Sequence, residues 1–147
     1  MRIVIGIDDS PFSEAALDFV RRAKWPPDTV VTVVSSVPLP VPVLATTIPA
    51  TGIEVAAWLK ELTELHTRWV ASAEQTLQKA GLETRGLVPQ GDPREALVSV
   101  AREEDADLLV TGSHGRTGLE KVLLGSVAAH VVSHAPCSVL VVKLPRR

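Results

Sequence analysis

Residues 112–126 read GSHGRTGLEKVLLGS and hold four of the nine glycines in the chain. They follow directly on ADLLVT at 106–111, so the glycines stand where a buried strand ends. Gly112, Gly115 and Gly118 leave no side chain between their backbone N–H groups and an incoming oxygen, and amides arranged so can form an anion-binding nest. Ser113, His114, Arg116 and Thr117 stand among them as further donors. Either protonation state of the His114 imidazole could meet a phosphate. Downstream, Gly125 and Ser126 interrupt the helical pattern, and Ser126 is placed to cap a helix running on through Val127, Val131 and Val132. That helix N-terminus would be a second anion site. The segment has neither the Gly-Lys-Ser/Thr of a P-loop nor the G-x-G-x-x-G of a dinucleotide fingerprint. Two readings therefore stay open, a tight strand-to-helix turn and a phosphate cradle.

Other residues that could do chemistry are fewer. His130 and His134 stand four apart, a spacing that can ligate a metal, but the Glu of H-E-x-x-H is missing and position 131 is Val. Their place near a helix C-terminus equally suits imidazolium against the helix dipole. Cys137 has no His beside it in sequence and reads as a small buried residue. Trp58 and Trp69 fit a helical stripe and read as core or interface rather than as base-stacking groups. No Ser/His/Asp set and no paired carboxylates emerge for hydrolysis.

The elements that must position these residues alternate along the chain. Residues 2–7 are apolar almost throughout, as in a strand buried on both faces. From Ser13 the positions Ala16, Leu17, Phe19, Val20 and Ala23 recur at helical spacing, with Glu14 early and Arg21, Arg22 and Lys24 late, matching the macrodipole. Residues 29–34 form a second buried strand. Four prolines make the stretch from 35 to 52 a long loop, whose 38–49 portion is expected to act as a lid. Val55, Leu59, Leu62, Leu65, Trp69, Ala73, Leu77 and Ala80 form one helical stripe closed by Gly81. Residues 83–89 are a weaker strand, and Asp92 with Pro93 caps and starts another helix. Residues 137–142, CSVLVV, are the last strand.

This β-α-β-α-β-α-β-α-β order predicts an α/β fold, a single domain over 1–147 with a parallel sheet and helices on both faces. Ligands of such sheets sit beyond the carboxyl ends of the strands, which directs attention to Asp8, Asp9 and Ser10, to residues 35–37, to Gln90 and Gly91, and to residues 112–116. Fifteen basic against 17 acidic residues offer no overall positive field for nucleic acid. Every apolar run is broken by charge or proline well short of a bilayer span, so no membrane association is expected. The single cysteine and the lack of a leader-like opening make the cytoplasm the expected compartment.

Gly112-Ser113-His114-Gly115, nine residues, then Gly125-Ser126 resembles the G-x-x-G-(nine residues)-G-S/T pattern of the nucleotide-binding branch of the universal stress protein family. The resemblance covers nearly the whole chain. It includes the opening IVIGIDDS, Gly91-Asp92-Pro93, Ala106-Asp107-Leu108 and the closing CSVLVV, in the family's order. It implies an open parallel five-stranded sheet of the Rossmann-like, adenine nucleotide alpha hydrolase-like kind, with ATP, ADP or AMP at its carboxyl edge. Carried across, Asp8 lies near the ribose or a metal, and the backbone around Val37 lies near the adenine. Gly112, Gly115, Gly125 and Ser126 surround the phosphates, with N–H groups donated by Val127 and Ala128. Many members have Gly at the position of Asp9, so a second carboxylate here either helps hold Mg²⁺ or Mn²⁺ or points to solvent. The resemblance further implies a stress-response regulatory protein that forms a homodimer through its C-terminal strand, an exposed edge in need of cover. A slow metal-dependent ATPase or phosphotransferase, and an interaction module without nucleotide, are the alternatives.

Overall fold

The computed structural model describes residues 1–39, 52–115 and 123–144. Most of the expected lid, together with Arg116, Thr117 and Gly118, lies outside these residues. Strand β1 (Arg2–Gly6) leads into helix α1 (Pro11–Arg22), β2 (Val30–Val34), α2 (Gly52–Gln78), β3 (Glu83–Leu87), α3 (Pro93–Glu103), β4 (Leu108–Gly112), α4 (Ser126–His134) and β5 (Ser138–Val142). The strands form one all-parallel sheet in the order β3-β2-β1-β4-β5, the α/β architecture expected from the alternation.

Period-2 alternation divides the sheet's side chains between two cores. Ile3, Ile5, Val31, Val33 and Val110 pack with Ala16 and Val20 of α1 and Val70, Ala73 and Leu77 of α2. Val4, Val34 and Leu109 point the other way, onto Leu97, Val98, Val100 and Ala101 of α3 and Val131 of α4. The central strands are therefore apolar at most positions, with Thr32 and Thr111 as buried exceptions, because both faces of the sheet are covered.

Caps set the helix ends. Ser10 accepts a hydrogen bond from the N–H of Ser13 and Pro11 occupies the first turn, so α1 starts two residues before the expected Ser13. Asp92 accepts from the N–H of Arg94, as expected of an N-cap. The Arg94 guanidinium hydrogen-bonds back to Asp92 and holds its carboxyl down at about 2, so the cap stays ionised well into acid. Gly81 has φ +84°, the left-handed value that makes glycine the usual residue after a helix. Trp58, expected in a core or interface, is exposed. Among the described residues, no helix is long and apolar enough to cross a membrane.

The site is placed by topology. After β1 the chain winds outward through β2 and β3, and β4 then returns to the other side of β1. The helices that follow β1 and β4 diverge there, which opens a crevice at the carboxyl ends of the two strands.

Candidate functional site at the carboxyl edge

A cleft of about 620 Å³ occupies that crevice. One wall comes from the end of β1, where Gly6, Ile7 and Asp8 face Ser13 of α1. The Asp8 N–H donates to Ser13 Oγ at 3.0 Å, and Asp8 Oδ1 accepts from the Ser10 N–H at 3.0 Å. One carboxylate oxygen is thus tied to the cap of α1. The other, Oδ2, is turned toward Gly115, where a Cβ would lie only 3.1 Å from it.

The opposite wall is the glycine segment. Thr111, Gly112, His114 and Gly115 line the cleft from the end of β4, and Leu124, Gly125, Ser126, Val127 and Ala128 line it from the start of α4. The Gly125 N–H donates to the Ser113 carbonyl at 2.8 Å, so both halves of GSHGRTGLEKVLLGS reach one cavity. That contact leaves little room, since a Cβ on Gly125 would stand 3.1 Å from the His114 Cα. Gly125, rather than the expected Ser126, is the N-cap of α4, and it makes no side-chain cap bond. The Ser126, Val127 and Ala128 N–H groups then belong to a first helical turn that provides no intrahelical acceptor for them. Together with the positive end of the helix dipole they form a site for anionic oxygen. His114 joins them, its Nδ1 3.1 Å from Ser113 Oγ and its ring 5.1 Å from that of Phe12.

The remaining wall comes from Val34, Ser36 and Pro38 after β2, from His66 of α2, and from Pro93 and Leu97 of α3. Val37 itself is fully buried. Its N–H donates to the Pro89 carbonyl at 2.9 Å and its carbonyl accepts from the Gly91 N–H at 2.8 Å, which extends the pairing toward β3. A parallel strand points successive residues' amides to opposite sides. The main-chain N–H and C=O of Ser36 therefore face the other way, beyond the end of β1 and toward the cleft, while Ser36 Oγ donates to the Gly91 carbonyl at 2.9 Å.

The structure thus brings Asp8, Gly112, His114, Gly115, Gly125, Ser126, Val127 and Ala128 to one cavity. Ser10 and Ser113 are buried behind the wall and brace it, Asp9 is exposed outside it, and Val37 lies beneath it. Arg116 is outside the described residues. Sequence reasoning missed Ser13 and His66, and within residues 35–37 it settled on Val37 where Ser36 lines the cleft. Strand parity counted from β3 would have found Ser36, and His66, four residues after Leu62 on the α2 stripe, could have been read as inward-facing.

Among the described cleft residues there is no Lys or Arg, so main-chain donors, the α4 dipole and His114 are what they set against anionic charge. No group of three His, Cys, Asp or Glu suited to a metal ion occurs among the described residues. His130 and His134 stack at 4.1 Å over a separate cavity of about 280 Å³, with His130 Nε2 3.2 Å from Glu95 Oε1. Burial pushes the Cys137 thiol up, which favours the protonated form.

The model of the universal stress protein family matches residues 1–143. MJ0531, a universal stress protein of Methanocaldococcus jannaschii, is 50% identical over 67 residues, 46% of this chain and 39% of that protein. MJ0577 of the same organism is 35% identical over 83 residues, 56% of this chain and 51% of that protein. The matched segments therefore span about half or less of these curated relatives. The solved structure of MJ0577 is similar over 99% of this chain and 97% of its own, with a TM-score of 0.85 and 26% identity. The universal stress protein of Archaeoglobus fulgidus, solved in complex with dAMP, is similar over 97% of this chain and 98% of its own, with a TM-score of 0.64 and 26% identity.

Proposed function

Since the chain belongs to the universal stress protein family, we propose that its cleft binds an adenine nucleotide and that the protein acts through the bound state as a stress-response regulator in the cytoplasm. The observation that carries this reading is the Gly125–Ser113 hydrogen bond, which folds the glycine segment so that a helix N-terminus and the end of β4 line one cavity. The similar Archaeoglobus fulgidus structure in complex with dAMP supports it.

The phosphates fit the N–H groups of Ser126, Val127 and Ala128, with His114 and Gly115 alongside. The ribose falls beside Asp8. The base falls toward Ser36, whose N–H can donate to adenine N1 while its carbonyl accepts from the exocyclic amine. Hypoxanthine carries N1–H and O6 at these places, so the same main chain would face donor with donor and acceptor with acceptor. Mg²⁺ or Mn²⁺ would be held chiefly by phosphate oxygens and water, with Asp8 Oδ2 as its protein ligand. It would supply positive charge for ATP or ADP, whereas AMP makes a smaller demand on the cleft.

Calorimetric titration with AMP and with inosine monophosphate tests the reading. AMP is expected to bind about tenfold or more tightly than its inosine counterpart, since mismatched buried polar groups carry a penalty of that order. Equal affinities would overturn the assignment of the base to Ser36, and no binding of either at millimolar concentration would overturn the function.

We also propose homodimerisation through β5. This strand is an edge of the sheet, and Ser113 N–H bonds the Val142 carbonyl, so alternation turns the Val141 N–H and C=O outward. An unpaired apolar edge is stabilised by a second copy. Val141→Pro removes an outward donor without touching the β4 ladder, and is expected to convert a dimer to a monomer in analytical ultracentrifugation. A wild-type monomer, or an unchanged dimer in the variant, would contradict this interface.

A further inference from the structure

Behind the base end of the cleft lies a buried polar chain that nucleotide contacts alone do not require. Ser35 is 1% exposed and His66 is 4% exposed, and Ser35 Oγ lies 2.9 Å from His66 Nδ1. The same hydroxyl donates to the Ile7 carbonyl at 3.0 Å. A hydroxyl has one proton, so with that proton on Ile7 the Ser35 oxygen must accept from His66, and the imidazole carries its proton on Nδ1. The Ser35 N–H donates to the Leu87 carbonyl at 3.2 Å. Ser35 is therefore tied at once to the ends of β1 and β3 and to α2.

These ties hold the peptide that leads into Asp8 directly, through the Ile7 carbonyl. They also anchor the residue before Ser36, whose N–H bonds the Leu87 carbonyl, while Ser36 Oγ bonds the Gly91 carbonyl. We propose that His66 is a positioning residue for the nucleotide site, holding the Ser35 rotamer and through it the Asp8 and Ser36 main chain. Trp69, whose ring stands 4.5 Å from that of His66, braces the imidazole from the same helix. The arrangement makes α2 part of the binding geometry, so occupancy of the cleft and the seating of α2 are linked. This inference rests on the base being read at Ser36.

The test compares His66→Leu, which removes the donor, with His66→Asn, whose side-chain amide can replace Nδ1–H, and with Ser35→Ala. AMP affinity is expected to fall about tenfold in His66→Leu and Ser35→Ala and to stay within about threefold of wild type in His66→Asn, the range set by one buried hydrogen bond. The preference for AMP over inosine monophosphate should shrink with it, which general loosening of the fold would not produce. A second arm needs no ligand. Amide hydrogen exchange at Asp8 and Ser35, whose N–H groups bond Ser13 Oγ and the Leu87 carbonyl, should speed up in the free protein in His66→Leu and recover in His66→Asn. If His66→Leu folds with wild-type exchange at these amides and a wild-type AMP preference, the role of His66 is overturned while the nucleotide reading stands. Failure of the unmodified protein to bind AMP would overturn the nucleotide reading, and this inference with it.

Discussion

Gly115→Val is expected to abolish nucleotide binding and leave the fold standing. A Cβ at this position would lie 3.1 Å from Asp8 Oδ2, and the two valine methyls would extend further into the cleft. Asp8 cannot swing freely aside, because its other oxygen is held by Ser10 at the cap of α1. Positive φ among the described glycines occurs at Gly81 and Gly91, so a side chain at Gly115 brings no backbone strain of that kind. The loss falls on the ligand. Displacing a phosphate from charge-assisted main-chain donors is worth about 3 kcal/mol, or about a hundredfold in affinity. Calorimetry with AMP reads the loss, and thermal melting within about 2 °C of wild type would show that stability changed by less than about 1 kcal/mol. Retained affinity would remove Gly115 from the site.

Gly112→Ala should do the reverse. Three residues away in the same segment, a Cβ here would stand 2.7 Å from both the carbonyl carbon and the oxygen of Phe12, in the first turn of α1. Those are backbone atoms of a capped helix and cannot rotate away. Overpacking of this kind costs about 1–3 kcal/mol, which for a domain of this size lowers Tm by about 3–10 °C. Gly6→Ala is the control, since its Cβ meets the flexible tip of Leu97 and should cost less. If Gly112→Ala melts like wild type, the close approach of β4 to α1 is not what requires glycine there.

The described glycines of the segment differ in what surrounds them. A Cβ at Gly112 would meet the backbone of α1, one at Gly125 the backbone of Ser113 and His114, and one at Gly115 the Asp8 carboxylate in the cleft. The residue types could not show this difference, because all three glycines stand beside the same strand end and only the placement of Phe12, Asp8 and His114 distinguishes them.

Legibility follows the locality of the physics. Buried strands, the Asp92 cap and the Gly81 terminus depend on neighbours a few residues away, and the sequence reading of each agrees with the structure. Even the return of Gly125 to Ser113 was foreseeable from the family spacing. What the sequence concealed depends on register between distant strands. Ser36 faces the cleft because Leu87 and Pro89 pair with Ser35 and Val37, and nothing within residues 35–37 reveals that parity. His66 was hidden for a similar reason, since a histidine in an apolar stripe shows its hydroxyl partner only once α2 lies over β2. The start of α1 at Pro11 and the cap of α4 at Gly125 moved by one or two residues, where local signals compete.

Nucleotide binding in the cleft is read residue by residue from backbone amide chemical shifts as AMP is titrated into the ¹⁵N-labelled protein. Saturable shifts are expected at Asp8, Ser36, His114, Gly115 and residues 125–128, with His130 and His134 over their separate cavity unmoved. Saturation accompanied by shifts elsewhere, with Ser36 and residues 125–128 silent, would contradict binding in the cleft.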